Sequence, residues 1–388
     1  MFRPRGMCMF LALRELRFAR GRFALMGAVI SLISVLVVLL SGLSTGLVND
    51  GVSGLKAMPV TAFAFDEGTM KDNAFSRSII EPDQLAPWRD ADGVEAAEPL
   101  GVSIVNSTTD AGKQVDLTLF GVDPDGFLAP ATSSGDGIAG VNGIVVSETL
   151  ADDGVEIGTV VTLDRIDVEL TVVGFTEGQA TFGHVDVAYL PLETWQLIAS
   201  NSVQPGPPTQ ATTAAADYPL FSAIAVQAQD GAEVDLAAAD RAAGTTSMTL
   251  TDSFNASPGY EAETMTLSMI QVFLYVICAL VVGAFFTVWT IQRAGDLAVL
   301  RAMGASSRYL LRDSLAQATV VLLVFTGIGV AAGVAMGAVM PDTMPFELEA
   351  GPIAVASALT IVLGLLGAAV SVLRITRIDP LAALGGRR

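Results

Sequence analysis

Few side chains in this sequence are equipped for covalent chemistry. The single histidine, His184, sits in the run Thr181-Phe182-Gly183-His184, and the only cysteines are Cys8 and Cys278. A structural or catalytic metal centre needs three or four such ligands together, and neither a second histidine nor a neighbouring cysteine joins His184, so no metal site is read here. A Ser/His/Asp triad would have to be built on the same histidine with no motif around any serine, so no catalytic residue is assigned. A lone histidine beside a strand is ordinarily structural. The phosphate-binding pattern GxxxxGK[ST] is absent, and the three lysines, Lys56, Lys71 and Lys113, fall outside the cytoplasm by the topology below. The chain is therefore not read as an enzyme, and any ATP it depends on is bound by a separate partner.

The elements that position these residues are mostly membrane helices. Of 388 residues, 52% are hydrophobic, and four stretches are apolar and long enough to span a bilayer, which takes roughly 20 residues. They cover residues 24–48, 266–291, 315–340 and 352–373. Arginines gather at one end of each: Arg14, Arg17, Arg20 and Arg22 before the first, Arg293, Arg301, Arg308 and Arg312 between the second and third, and Arg374 and Arg377 after the fourth. The positive-inside rule then puts both termini and the middle loop in the cytoplasm of a cell in whose plasma membrane the chain resides. A signal peptide is the competing reading of the first span, but ~25 apolar residues exceed a usual signal core. Residues 1–23 read as a cytoplasmic tail ending in an amphipathic helix over 10–23, lying on inner-leaflet lipid. Residues 292–314 form a cytoplasmic loop, 341–351 a short external link and 374–388 a cytoplasmic tail. The external parts hold 7 basic and 36 acidic residues, within a chain of net charge -19, which excludes a nucleic-acid partner.

Residues 49–265 form the extracytoplasmic domain. Short apolar runs bounded by turn residues give strands near 62–65, 102–106, 115–120, 143–146, 160–163, 168–174, 185–190 and 222–227, with helices at 83–89, 147–152 and 192–200. Residues 201–218, rich in Pro, Thr and Ala, read as a surface loop or linker. The fold class is a membrane protein of four transmembrane α-helices with an α+β extracytoplasmic domain, in two lobes, inserted between helices 1 and 2. In the third span Gly329, Gly333 and Gly337 recur every four residues and let another helix approach closely.

The loop after the second span reads Gln292-Arg293-Ala294-Gly295-Asp296-Leu297-Ala298-Val299-Leu300-Arg301-Ala302-Met303-Gly304-Ala305-Ser306. Arg, an acidic residue, an apolar turn and then Leu-Arg-Ala-x-Gly-Ala-Ser resembles the coupling loop of FtsX/MacB-type ABC transporter permeases. Gly295-Asp296 departs from the basic-Glu pair usual there. Val145-Val146-Ser147-Glu148-Thr149-Leu150-Ala151 and the ending Arg377-Ile378-Asp379-Pro380-Leu381 are similar to that family too. The resemblance implies a homodimer working with a cytoplasmic ABC ATPase, with Arg293, Asp296, Leu300, Arg301, Met303 and Gly304 as the ATPase contact. Gly304 would end the loop's helix and Ser306 cap the next.

Length and a compact external domain look most like the haem-exporting permeases of this family. The implied function is export of a hydrophobic cargo, first haem, out of the membrane. The alternatives are an FtsX-like signalling permease that controls an extracytoplasmic cell-wall hydrolase, or lipoprotein or peptide export. No intrinsic cofactor is implied; haem would be the transported substrate. Carboxylate and thioether groups can take haem iron axially. Glu261, Met265 and Met269 lie four residues apart and would share a helix face at the mouth of the second span, with Met336 and Met340 at the outer end of the third.

Overall fold

The structure, a computed structural model, describes residues 20–201, 203–292, 303–304, 306–341 and 344–376. Most of the amphipathic stretch at 10–23 and of the C-terminal tail lies outside them. In chain order the elements are α1 (Arg20–Lys56), β1 (Ala62–Asp66), α2 (Ala74–Arg77), α3 (Leu85–Arg89), β2 (Val94–Thr109), β3 (Gln114–Val122), β4 (Thr132–Gly135), β5 (Gly143–Val146) and α4 (Thr149–Asp152). There follow β6 (Val160–Leu163), β7 (Val168–Thr176), β8 (Thr181–Phe182), β9 (Val185–Pro191), α5 (Leu192–Ala199), α6 (Gln210–Ala214), β10 (Ala223–Ala228), α7 (Leu236–Ala243), β11 (Thr245–Thr249) and α8 (Leu250–Ser253). Three long helices close the chain: α9 (Tyr260–Gln292), α10 (Ser307–Gly337) and α11 (Ala350–Thr376). Among the described residues four helices, α1, α9, α10 and α11, are long and apolar enough to cross a membrane. The chain divides into a membrane unit and an outer unit, Leu47–Thr264.

Glycine sets the packing of the membrane unit. A Cβ on Gly329 of α10 would lie 2.5 Å from the Ser31 carbonyl of α1, and one on Gly333 would lie 2.8 Å from Val38. The four-residue glycine spacing thus brings α10 against α1, as the sequence pattern requires. On the other side Gly283 of α9 faces Gly367 of α11, and Ser371 donates its hydroxyl to the Gly283 carbonyl at 2.7 Å. Leu322 of α10 fills the space over Gly364 of α11. The core so formed includes Ile30, Ile33, Val37, Cys278, Val282, Phe286, Val321 and Ala368. Between α10 and α11, Phe346 packs on Gly42 and Gly337, and the Glu347 N–H donates to the Gly42 carbonyl. Ser306 caps α10, its hydroxyl accepting from the Tyr309 N–H at 3.2 Å.

The outer unit is built on one sheet of eleven strands, in the order β11-β1-β10-β2-β3-β9-β5-β7-β4, with β6 and β8 off that path. The long strand β2 is shared by two halves, pairing with β10 over Val94–Leu100 and with β3 from Gly101 onward. Where two lobes were expected, one continuous sheet runs through a single unit. Because side chains alternate along a strand, Leu117 and Leu119 of β3 enter one core and Phe120 and Val122 the other. Burial on both faces explains why strands such as β5, Gly-Ile-Val-Val, read as unbroken apolar runs. One core carries an edge-to-face chain of Phe63, Phe65, Phe75, Phe120, Phe182 and Tyr189, with centroids 5.0–5.7 Å apart. Over the other, Trp195 of α5 lies on the paired Gly101 and Gly121 and donates its indole N–H to Ser103 at 3.0 Å.

The sequence spans and the observed helices differ at their outer ends. The first span, read as ending at residue 48, belongs to a helix that runs to Lys56 with a break at Val52. The reason is tertiary: Val52 and Leu55 are fully buried in the phenylalanine-rich core. Apolar residues that hydropathy alone would assign to lipid or to a loop are core here. The second span, read from residue 266, begins at Tyr260.

Candidate functional site

The outer end of α9 carries the predicted ligand set. Glu261, Met265 and Met269 repeat at four-residue spacing on one helix, and all three are exposed, Met265 at 72% and Met269 at 53%. Thioethers this exposed contribute little to packing within the chain. Met336, on the last turn of α10, is also exposed, and Met340 follows in the turn beyond. These two are not on the α9 face; α10 packs against α1 and α11. Of the predicted coupling residues, Met303 is 71% exposed and Gly304 has φ +97°, a left-handed value that glycine adopts without strain. Arg293, Asp296, Leu300 and Arg301 lie outside the described residues.

A cavity of about 390 Å³ opens between the first two membrane helices, lined by Leu25, Met26 and Val29 of α1 and by Val281, Phe285 and Trp289 of α9. It lies near the start of α1 and the end of α9, so it is at the other end of α9 from Glu261 and Met265.

One grouping was not legible in the sequence. The His184 Nδ1 lies 2.7 Å from a carboxylate oxygen of Asp50, and its Nε2 lies 3.0 Å from one of Glu263. Asp50 is near the outer end of α1 and Glu263 in the first turn of α9. His184 itself is in the two-residue turn between β8 and β9, where it and Gly183 have φ +63° and +62°. The Gly183 N–H donates at 2.9 Å to the carbonyl of Gly51, which also accepts the Ser257 hydroxyl at 3.1 Å. That carbonyl is available because the helix is broken at the next residue, Val52. Partial burial of the imidazole opposes its charge, yet the hydrogen bond to Asp50 and the negative charge of Glu263 prevail and hold the pKa above its ordinary 6.5. The signal available in the sequence was an acid near the mouth of each helix, Asp50 on α1 and Glu263 beside Glu261 on α9, which a separation of 134 and 79 residues from the histidine conceals.

A sequence pattern for a MacB-like periplasmic core domain matches residues 23–243, more than half of the chain, and one for the FtsX-like permease C-terminal region matches 268–380. The chain belongs to the MacB/FtsX-type permeases. It is an ABC transporter permease with its α+β domain inserted after the first membrane helix. Among similar members, HrtB of Staphylococcus haemolyticus, named for hemin transport, is 26% identical over 97% of this chain and 99% of its own. HrtB of Staphylococcus epidermidis is 23% identical over the same shares. The ABC transporter permease Rv0072 of Mycobacterium tuberculosis is 24% identical, again over 97% and 99%. Solved structures similar to this permease include the extracellular domain of the transporter YknZ, 13% identical with a TM-score of 0.33 over 49% of this chain and 98% of that one. The periplasmic region of MacB from Actinobacillus actinomycetemcomitans is 13% identical, with a TM-score of 0.35 over 50% and 91%.

Proposed function

We propose that this permease exports haem, drawn from the membrane, as a homodimer driven by two copies of a separate cytoplasmic ATPase. The observation that carries this reading is the exposed Glu261, Met265 and Met269 face of α9. A carboxylate and two thioethers on successive turns offer axial ligands to haem iron beside apolar residues, Val272, Phe273 and Val276, that suit a porphyrin. End-to-end similarity to permeases named for hemin transport supports the same cargo. The basic ends of the helices favour cytoplasmic termini, which leaves Met303 and Gly304, with Arg293, Asp296, Leu300 and Arg301, to meet the ATPase. ATP-driven closure would then push this loop, and rigid helices would carry the movement outward.

The test is titration of haem into the purified chain in detergent, followed by visible absorption. The wild type is expected to give a saturable Soret shift. Met265→Leu with Met269→Leu, which keeps volume and removes sulfur, is expected to weaken binding by about tenfold or more. A wild type without a saturable shift overturns haem as cargo and favours a signalling or peptide-exporting permease.

A further inference from the structure

We propose that His184, as an imidazolium, clasps the outer ends of the first two membrane helices by binding Asp50 and Glu263 at once, and is a positioning residue of the export cycle. The inference rests on the permease reading above for its second half only; the clasp itself rests on geometry.

Carboxylates accept hydrogen bonds and donate none, whereas a neutral imidazole has a single N–H. Both ring nitrogens of His184 lie within 3.0 Å of a carboxylate oxygen, one on each side of the ring. Two such bonds need two N–H groups, so the arrangement holds only in the doubly protonated, charged form. Loss of the proton leaves one nitrogen lone pair facing an anion, and that arm lets go. The charged groups that act on the ring, Asp50 from α1 and Glu263 from α9, both favour the imidazolium; Asp186 on β9 interacts with Asp50, and its own pKa is pushed up by desolvation. The nearest lysine along α1, Lys56, is turned to the Asn49 side chain instead.

The surroundings fix the clasp in place. Asp50 accepts a second hydrogen bond, from the Gln179 amide at 3.2 Å. Ser53 and Thr181 share a hydroxyl contact of 2.7 Å, and the Gly51 carbonyl is held by Gly183 and Ser257. The turn itself demands two left-handed residues, a place usually taken by asparagine or glycine. A histidine there gives up backbone preference and gains a ring that reaches both helices. Since α1 and α9 continue from Asp50 and Glu263 into their membrane-spanning lengths, the spacing of their outer ends depends on whether one or both arms are made.

The chain has one histidine, so ¹⁵N-histidine labelling of the full-length permease in lipid nanodiscs gives a single pair of ring-nitrogen signals. Both nitrogens are expected to be protonated at pH 6, with a titration midpoint above that of free histidine that moves down in Asp50→Asn and in Glu263→Gln. A midpoint at the free value, unmoved by either variant, overturns the clasp. The second measurement is basal ATP hydrolysis by the assembled permease–ATPase complex across the same pH range. Wild-type hydrolysis is expected to change through the midpoint seen by NMR, and Glu263→Gln to be flat there. Superimposable profiles in the presence of a titrating clasp overturn the positioning role. The NMR arm uses the permease alone, so failure of the clasp is distinguishable from failure of the transport reading. His184→Asn, which tolerates the left-handed turn, provides a second variant should Glu263→Gln fold poorly.

Discussion

Folding brings His184 between Asp50 and Glu263, partners that the unfolded chain does not hold in place, so part of the folding free energy is linked to a proton. The folded pKa is raised above 6.5, and the sign follows. The contribution is fully present below the ordinary histidine value and is lost as pH rises through the folded one. Two half-buried or buried carboxylates, Glu98 and Asp186, have raised pKa values mainly from desolvation, and they act with the same sign from the acid range upward. The difference between wild type and His184→Asn therefore isolates the imidazole. The thermal midpoint of the outer unit is expected to fall by about 2 °C more in wild type than in the variant as pH rises from 6 to 9. Parallel curves would mean that the two bonds contribute nothing to stability. At this scale the sequence supplies residue identities but not encounters. Glu261, Met265 and Met269 were readable because a helix repeats every 3.6 residues, so spacing alone gives a shared face. His184 was not, because its partners are joined to it only by the fold.

At the scale of elements, period and burial decided what could be read. Strands buried on both faces, such as β5 and β9, announce themselves as apolar runs. The edge strand β4, Thr-Ser-Ser-Gly, is mostly exposed and β11 reads Thr-Thr-Ser-Met-Thr, so neither shows a hydrophobic pattern, and both are strands because a neighbour supplies hydrogen bonds. Helix α6 forms within the stretch that composition marks as a loop, started by a Thr209 cap that accepts from the Thr212 N–H. The membrane helices were legible in existence but not in length, since the buried Val52 and Leu55 extend α1 into the outer core. Within α10 the glycines separate into two kinds. A Cβ on Gly329 meets α1 at 2.5 Å, while one on Gly327, two residues earlier, meets nothing within 4 Å. Gly329→Leu is expected to push α1 and α10 apart and to destabilise the membrane unit by about 1–3 kcal/mol or more. Gly327→Leu should stay within about 0.5 kcal/mol of wild type. Thermal denaturation in detergent, read by size-exclusion recovery, compares them; equal losses would remove the case for close glycine-mediated packing.

The whole molecule is divided by charge as sharply as by hydropathy. Within Leu47–Thr264 there are 7 basic and 33 acidic residues, a net of −26, whereas the chain total is only -19. Two ion pairs of the outer unit use His184, and a third joins Lys113 to Asp153 at 2.7 Å on the exposed surface, so most of the carboxylates among the described residues have no basic partner within 4.0 Å. Like charges spread over one folded unit repel over distances that the solvent sets. The screening length falls from about 30 Å at 0.01 M salt to about 8 Å at 0.15 M, which is from the width of a domain to the reach of near neighbours. Self-repulsion of the folded state should therefore be largely relieved over that interval, while the unfolded chain, with its charges further apart, gains less. The thermal midpoint of the outer unit is expected to rise steeply between 0.01 and 0.15 M sodium chloride and then to level off. The same curve should follow ionic strength when magnesium chloride replaces the sodium salt, because diffuse screening has no preference beyond valence. A flat response would show that the carboxylates are neutralised in pairs or by protons already, and a magnesium response well above the ionic-strength curve would replace screening with discrete cation binding.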